Sequence, residues 1–194
     1  MDRTYKTAIM ADYFTEDELV KKIGMPKYYW NDVIMKELID NALDSIEPLL
    51  EKRVDVIRKV YGLGIFDNGE GISCDTVKNI YDFNYYISKN RHFVTASRGK
   101  QGNGLKTVIS ICFIKKWRLL WHTNDGVILE ANVDADLVKD GIINVDFKEI
   151  GETDKHGVEI VGFNESREGY YSSYLYYYGV CNPDVFFTLD YLGN

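Results

Sequence analysis

Apolar positions recur with helical spacing along the first part of the chain and with a period of two along much of the rest. Thr15-Glu16-Asp17-Glu18 reads as a capping box that opens a short helix ending near Gly24. A longer helix is expected from about Lys27 to Ile46, with Pro48 beyond its end; Val33, Leu38, Ile39, Ala42 and Ile46 form its buried side. Val54–Ile57 and Tyr61–Phe66 are β-type runs that lead into the turn Asp67-Asn68-Gly69. Ser73–Phe83 suits a further helix, capped by Ser73 with Asp75 in its first turn. Asp82–Gly102 is polar, irregular and rich in glycine near its end, which reads as a mobile loop, and Leu105–Phe113 is an apolar helix. Consecutive strands follow at Trp117–His122, Val127–Val133, Ile142–Ile150 and Val158–Phe163, the first two joined by the turn Thr123-Asn124-Asp125-Gly126. Arg167–Gly179 predicts a tyrosine-rich helix and Val185–Leu189 a last strand. Helices first and antiparallel strands afterwards describe an α+β two-layer sandwich, not a doubly wound α/β fold.

Composition narrows the function. With 194 residues, 45% of them hydrophobic and 27% charged, the chain suits one globular domain over 1–194 without repeats or a linker. No apolar run reaches the roughly 18 residues of a membrane span, so no membrane partner is expected. Three cysteines, Cys74, Cys112 and Cys181, show no metal or disulfide framework, and the histidines His92, His122 and His156 are scattered. A reduced cytoplasmic setting is expected. The net charge of -7 argues against the domain surface as a whole neutralising DNA phosphates. The run from Tyr170 to Tyr178 has no interleaved Lys or Arg, so it is read as rings packed on the sheet and not as a base-stacking platform. Trp121 and His122 are read as strand packing residues and Cys112 as a buried helix residue.

Three stations carry chemistry. In Glu37-Leu38-Ile39-Asp40-Asn41-Ala42-Leu43-Asp44-Ser45, Glu37, Asn41 and Asp44 share one helix face. There a carboxylate can activate water and an amide oxygen can hold Mg²⁺. In Ile65-Phe66-Asp67-Asn68-Gly69-Glu70-Gly71-Ile72, a carboxylate at a strand end can accept from an exocyclic amine while glycine backbone closes on a flat ring. In Ser97-Arg98-Gly99-Lys100-Gln101-Gly102-Asn103-Gly104-Leu105-Lys106, glycines before a helix can point backbone N–H groups at phosphate, with Lys100 or Lys106 adding charge. Each alone has a plain reading: a solvated helix face, a strand–turn–helix connection, a flexible linker. Their order and spacing together carry the argument.

So arranged, the stations resemble the GHKL superfamily of ATPases, whose Bergerat fold is shared by type II topoisomerases, MutL, MORC proteins, heat-shock chaperones and sensor histidine kinases. The resemblance implies a mixed, mainly antiparallel sheet covered on one face by helices, with ATP and Mg²⁺ as cofactors. It implies Glu37 as general base and Asn41 on Mg²⁺. Asp67, Gly69, Gly71 and Ile72 would surround the adenine. A lid over about 82–104 would bring Lys89, Gly99, Lys100, Gln101, Gly102, Asn103, Gly104, Leu105 and Lys106 to the phosphates. Ser88-Lys89 ahead of Ser97–Gly102, and Tyr174-Leu175 followed by Asn182-Pro183, look like the B subunit of topoisomerase VI. Gly102–Lys106 and Glu37–Ala42 are equally MORC-like. That branch implies ATP-gated homodimerisation in a DNA-topology machine with a separate DNA-cleaving subunit, placed in the cytoplasm, nucleoid or nucleus.

Two departures accompany the resemblance. The family often places Thr after a glycine, as His-Gly-Thr, to help hold adenine; here His156-Gly157 is followed by Val158, and Thr153 comes early. Topoisomerase B subunits also continue into a transducer domain whose lysine reaches the γ-phosphate, and no such segment is read here. Alternative readings are a MORC- or MutL-like clamp, a nucleotide-binding interaction module with negligible turnover, and a sensor histidine kinase catalytic domain. The last is disfavoured because no helical hairpin with a phosphoacceptor His is read.

Overall fold

A computed structural model describes residues 13–83, 104–136, 142–167 and 169–192. Helix α1 (Glu16–Ile23) begins after Thr15, as the sequence predicts, but the Thr15 side chain makes no capping hydrogen bond. Its first turn instead holds Glu16, Asp17 and Glu18, which suit the positive end of the helix dipole. Gly24 ends it in the left-handed conformation (φ 73°), its N–H on the Val20 carbonyl. The helix expected from Lys27 starts as a 3-10 turn (Lys27–Tyr29) behind Pro26 and becomes α2 at Trp30–Ile46.

Strands β1 (Lys52–Lys59) and β2 (Gly62–Asp67) form a hairpin, followed by α3 (Cys74–Ile80), whose N-cap Ser73 accepts from the Thr76 N–H. Helix α4 (Gly104–Lys115) leads to β3 (Arg118–His122), β4 (Val127–Asp136), β5 (Ile142–Glu152) and β6 (His156–Val161). Helix α5 (Tyr170–Cys181) and β7 (Val185–Leu192) complete the described fold. The seven strands lie in the order β5-β4-β3-β6-β2-β1-β7. Among the described strands only the β1–β7 pair is parallel, so the sheet is mixed and mainly antiparallel as expected.

Alternation along the strands decides the layers. Val54, Val56, Leu63, Ile65, Val158, Ile160, Leu119 and Trp121 join one core with Leu38, Ile39, Ala42, Val108, Ile111 and Leu175 from the helices. Helix α2 crosses β1 and β2, α4 packs on α2 and β3, and α5 lies by β7. Residues of opposite parity, among them Phe66, Leu120, His122, Lys59 and Glu159, occupy the other face. There His122 meets the Phe66 ring edge-on at 4.9 Å. Trp121 and Cys112 are buried in the helix-side core, and Tyr170, Tyr171 and Leu175 fix α5 to it while Tyr176 and Tyr177 face solvent. The packing reading of the tyrosine run therefore holds for one side of α5. No helix among the described residues is long and apolar enough to cross a membrane.

Candidate functional site

Helix α2 joins the stations. Asn41 donates from Nδ2 to the Glu37 carbonyl at 2.7 Å, which leaves Oδ1 as the amide's acceptor atom. Glu37 is half-buried, with Oε1 3.0 Å from Lys36 Nζ. Its Oε2 faces the first residue of α4: a Cβ on Gly104 would collide with it. The glycine at 104 is therefore a close-approach position that brings the Glu37 carboxylate against the N-terminal turn of α4, where unsatisfied N–H groups favour anions.

Two turns further along α2, Ser45 meets the end of β2. Asp67 Oδ1 accepts from the Gly69 N–H at 2.9 Å, and the Ser45 hydroxyl donates to the same carboxylate. Burial raises the Asp67 pKa above the ordinary aspartate value, while the Gly69 N–H, the Ser45 hydroxyl and the charge of His156 pull the other way. A Cβ on Gly69 would strike Ser45 Oγ and come within 2.7 Å of Asp67 Oδ1. Gly71 adopts φ 69°, and a Cβ there would lie 2.8 Å from the His156 ring. His156 pairs with Asp67 across β2–β6, and its Nδ1 lies 2.7 Å from the Gly69 carbonyl. Ser45, Asp67, Gly69, Gly71 and His156 thus form one compact cluster on the helix side of the sheet. The β3–β4 turn braces it: Asn124 Nδ2 donates to the Glu70 carbonyl at 3.1 Å, and Asp125 accepts from the Cys74 N–H at 2.6 Å.

The other expected residues have the following surroundings. Lys106 is buried, its ammonium on the Asp82 carbonyl at 2.9 Å and 5.5 Å from the Phe83 ring, and burial lowers its pKa. Ile72 and Leu105 pack at the edge of the core. Thr153 does not stand beside Asp67; its Oγ1 lies 2.8 Å from His122 Nδ1, on the opposite face. Val158 points into the core between Ile65 and Trp121, so no hydroxyl arises there. Lys89, Gly99, Lys100, Gln101, Gly102 and Asn103 lie outside the described residues. A cavity of about 290 Å³ between α4 and the β3–β4 hairpin, lined by Cys112, Trp117 and Val133, shares no residue with this site.

Sequence reasoning missed Ser45, His156 and Lys36 as site residues. Ser45 carried a signal, since it continues the Glu37, Asn41 spacing by one more turn. His156 carried none, because its place depends on pairing across β2–β6.

An open mixed sheet with helices on one face, and an acidic helix motif beside a glycine-rich strand end, defines a Bergerat-type domain. A sequence profile described as histidine kinase-, DNA gyrase B-, and HSP90-like ATPase matches residues 29–157. The chain belongs to this GHKL ATPase family. No match is found among curated proteins. Among solved structures the chain is similar to the Aquifex aeolicus MutL ATPase domain, at 20% identity over 83% of this chain and 59% of that one, with TM-score 0.43. A second structure of that ATPase domain matches at 18% identity over 83% and 56%, with TM-score 0.41. The ATPase region of Saccharomyces cerevisiae topoisomerase II, bound to dexrazoxane, matches at 13% identity over 81% and 47%, with TM-score 0.50. The last likeness is one of fold. The chain spans little more than half the length of the MutL structures it matches.

Proposed function

We propose that this chain binds Mg²⁺·ATP along α2 and hydrolyses it, with Glu37 as the general base. The observation that carries the reading is the course of α2, which touches the α4 N-terminus through Glu37 and the Asp67 cluster through Ser45. Eight residues of helix separate these contacts by about 12 Å. A nucleoside triphosphate can bridge that span, base at Asp67 and phosphates at Gly104. The residues suit such a ligand: the missing side chains at Gly69, Gly71 and Gly104 let Ser45, His156 and Glu37 close against the backbone, and Asn41 has its amide nitrogen committed to its own helix.

Asp67 accepts from the adenine amine, with Gly69, Gly71 and Ile72 along the ring. Asn41 Oδ1 is the protein ligand of Mg²⁺, which when bound neutralises charge on the phosphate oxygens. Glu37 orients a water and takes its proton at the carboxylate oxygen facing α4. Gly104 and Leu105 open the helix whose N–H groups face the phosphates, and Gly99, Lys100, Gln101, Gly102, Asn103 and Lys89 belong to the lid that covers them. ATP binding gates association of two copies, in a DNA-topology machine like that of topoisomerase VI, whose DNA and cleaving subunit engage other regions. The Ser88-Lys89 and Tyr174-Leu175 resemblances support this branch over a MutL- or MORC-like clamp.

Single-turnover hydrolysis, ATP affinity and sedimentation of three proteins test the reading. Glu37→Gln keeps ATP affinity, loses hydrolysis by about 10²–10⁴-fold and accumulates as an ATP-bound dimer. Asn41→Ala weakens Mg²⁺·ATP itself, so affinity and rate fall together. Glu37→Gln with wild-type turnover refutes the catalytic role and favours an interaction module.

A further inference from the structure

Helices α5 and α2 are joined by polar contacts beyond the packing of tyrosine rings. Tyr174 donates its hydroxyl to the Asp32 carbonyl at 2.9 Å, and one turn later Tyr178 donates to Asp40 Oδ1 at 3.0 Å. Asp40 is buried, 6% exposed, three residues beyond Glu37 on α2. A carboxylate in such a place needs partners, because leaving it unpaired costs several kcal/mol. Its second oxygen, Oδ2, lies 3.1 Å from Lys36 Nζ, and the same ammonium lies 3.0 Å from Glu37 Oε1. Partial burial works against the Lys36 charge, yet hydrogen bonds to Glu37 and Asp40 outweigh it and raise the Lys36 pKa.

An exposed lysine beside a carboxylate on one helix contributes little when both side chains are free to move. Here the ammonium has a fixed second anchor, a buried carboxylate held from another helix by Tyr178. The consequence falls on Glu37. Its Oε1 is engaged by Lys36, and its Oε2 is the oxygen turned toward Gly104 and the first turn of α4. One oxygen is held and the other is presented.

We propose that Lys36, anchored by Asp40 and Tyr178, is a positioning residue for the Glu37 carboxylate, so that helix α5 sets where the base stands. The inference rests on the role of Glu37 proposed above. It implies that displacement of α5 alters hydrolysis without altering nucleotide affinity.

The test uses the full chain with Lys36→Met, Lys36→Arg, Asp40→Asn and Tyr178→Phe. Tyr177→Phe, on the solvent side of the same helix, serves as control. Single-turnover hydrolysis and ATP affinity are measured for each. Carbon-13 NMR titration of the Lys36 side chain is followed in nucleotide-free protein, with Glu37→Gln included. Lys36→Met slows hydrolysis about tenfold, in line with the cost of misplacing a catalytic group, while ATP affinity stays within about twofold. Lys36→Arg restores most of the rate. Asp40→Asn and Tyr178→Phe slow it by smaller factors, and Tyr177→Phe leaves it unchanged. Asp40→Asn and Glu37→Gln each lower the Lys36 titration midpoint. Lys36→Met turning over at the wild-type rate, or losing affinity and rate in parallel, overturns the inference. So does a Lys36 midpoint indifferent to Asp40→Asn. If Glu37→Gln abolishes hydrolysis while Lys36→Met does not slow it, the inference alone falls. If Glu37→Gln hydrolyses normally, the base assignment falls and the inference with it.

Discussion

Asp67→Asn separates recognition of the base from stability of the fold. In the wild type, the carboxylate accepts from the Gly69 N–H at 2.9 Å and from the Ser45 hydroxyl, and burial raises its pKa. Asparagine keeps the shape and one acceptor oxygen, so the turn bond to Gly69 survives. What disappears is the charge and the second acceptor, and an amide NH₂ then confronts either Ser45 or the amine of adenine. A hydrogen bond to a charged group contributes about 1.5–3 kcal/mol, so ATP affinity should fall by about 10- to 150-fold. Unfolding free energy should change by less than about 1 kcal/mol, because loss of a half-buried charge offsets loss of the Ser45 bond. The ATP preference over GTP should shrink as well, since an amide can donate to the guanine carbonyl at the same spot. Calorimetric titration with Mg²⁺·ATP and Mg²⁺·GTP, alongside urea unfolding, reads all three. Equal ATP and GTP affinities in the wild type would refute the assignment. So would ATP binding by Asp67→Asn within twofold of wild type.

Gly104→Ala should force the Glu37 carboxylate off the α4 terminus, because the added methyl collides with Oε2. Single-turnover hydrolysis should drop by about tenfold or more, and an unchanged rate would show that Glu37 acts from elsewhere. Lys116 is the left-handed residue (φ 58°) closing α4, with its N–H on the Phe113 carbonyl and the Trp117 N–H on that of Cys112. Glycine is the usual occupant of that position, so Lys116→Gly should stabilise the domain by up to about 1 kcal/mol in urea unfolding; destabilisation would contradict the cap geometry. Glu159, beside His122 and Lys59, is held near a pKa of about 2 against an ordinary 4.5. Its stabilisation is therefore complete above the ordinary glutamate value and is lost as pH falls toward about 2. Glu159→Gln should flatten the stability profile across that window, and an unchanged acid slope would count against the pairing.

The three stations were legible in the sequence because each is local. A helix face, a strand end and a glycine run before a helix are written in residues a few positions apart. Alternation likewise revealed the strands and a two-layer sandwich, since burying one face of a sheet demands a period of two. Periodicity names a buried face, however, and never the partner that buries it. The pairing of β6 with β2 therefore brought His156 to Gly69 and Gly71 unannounced, and carried Thr153 to the opposite side on His122. Lys106, charged and near the glycine run, has its ammonium on the Asp82 carbonyl, a contact that helical phase and not local spacing sets. The link from Tyr178 through Asp40 to Lys36 crosses well over a hundred positions of chain and depends on α5 lying against α2. Local spacing was enough to point to the family to which this chain belongs. Long-range packing alone decided which side chains hold the three stations in place, because a contact between distant segments exists only once both have folded onto the same sheet.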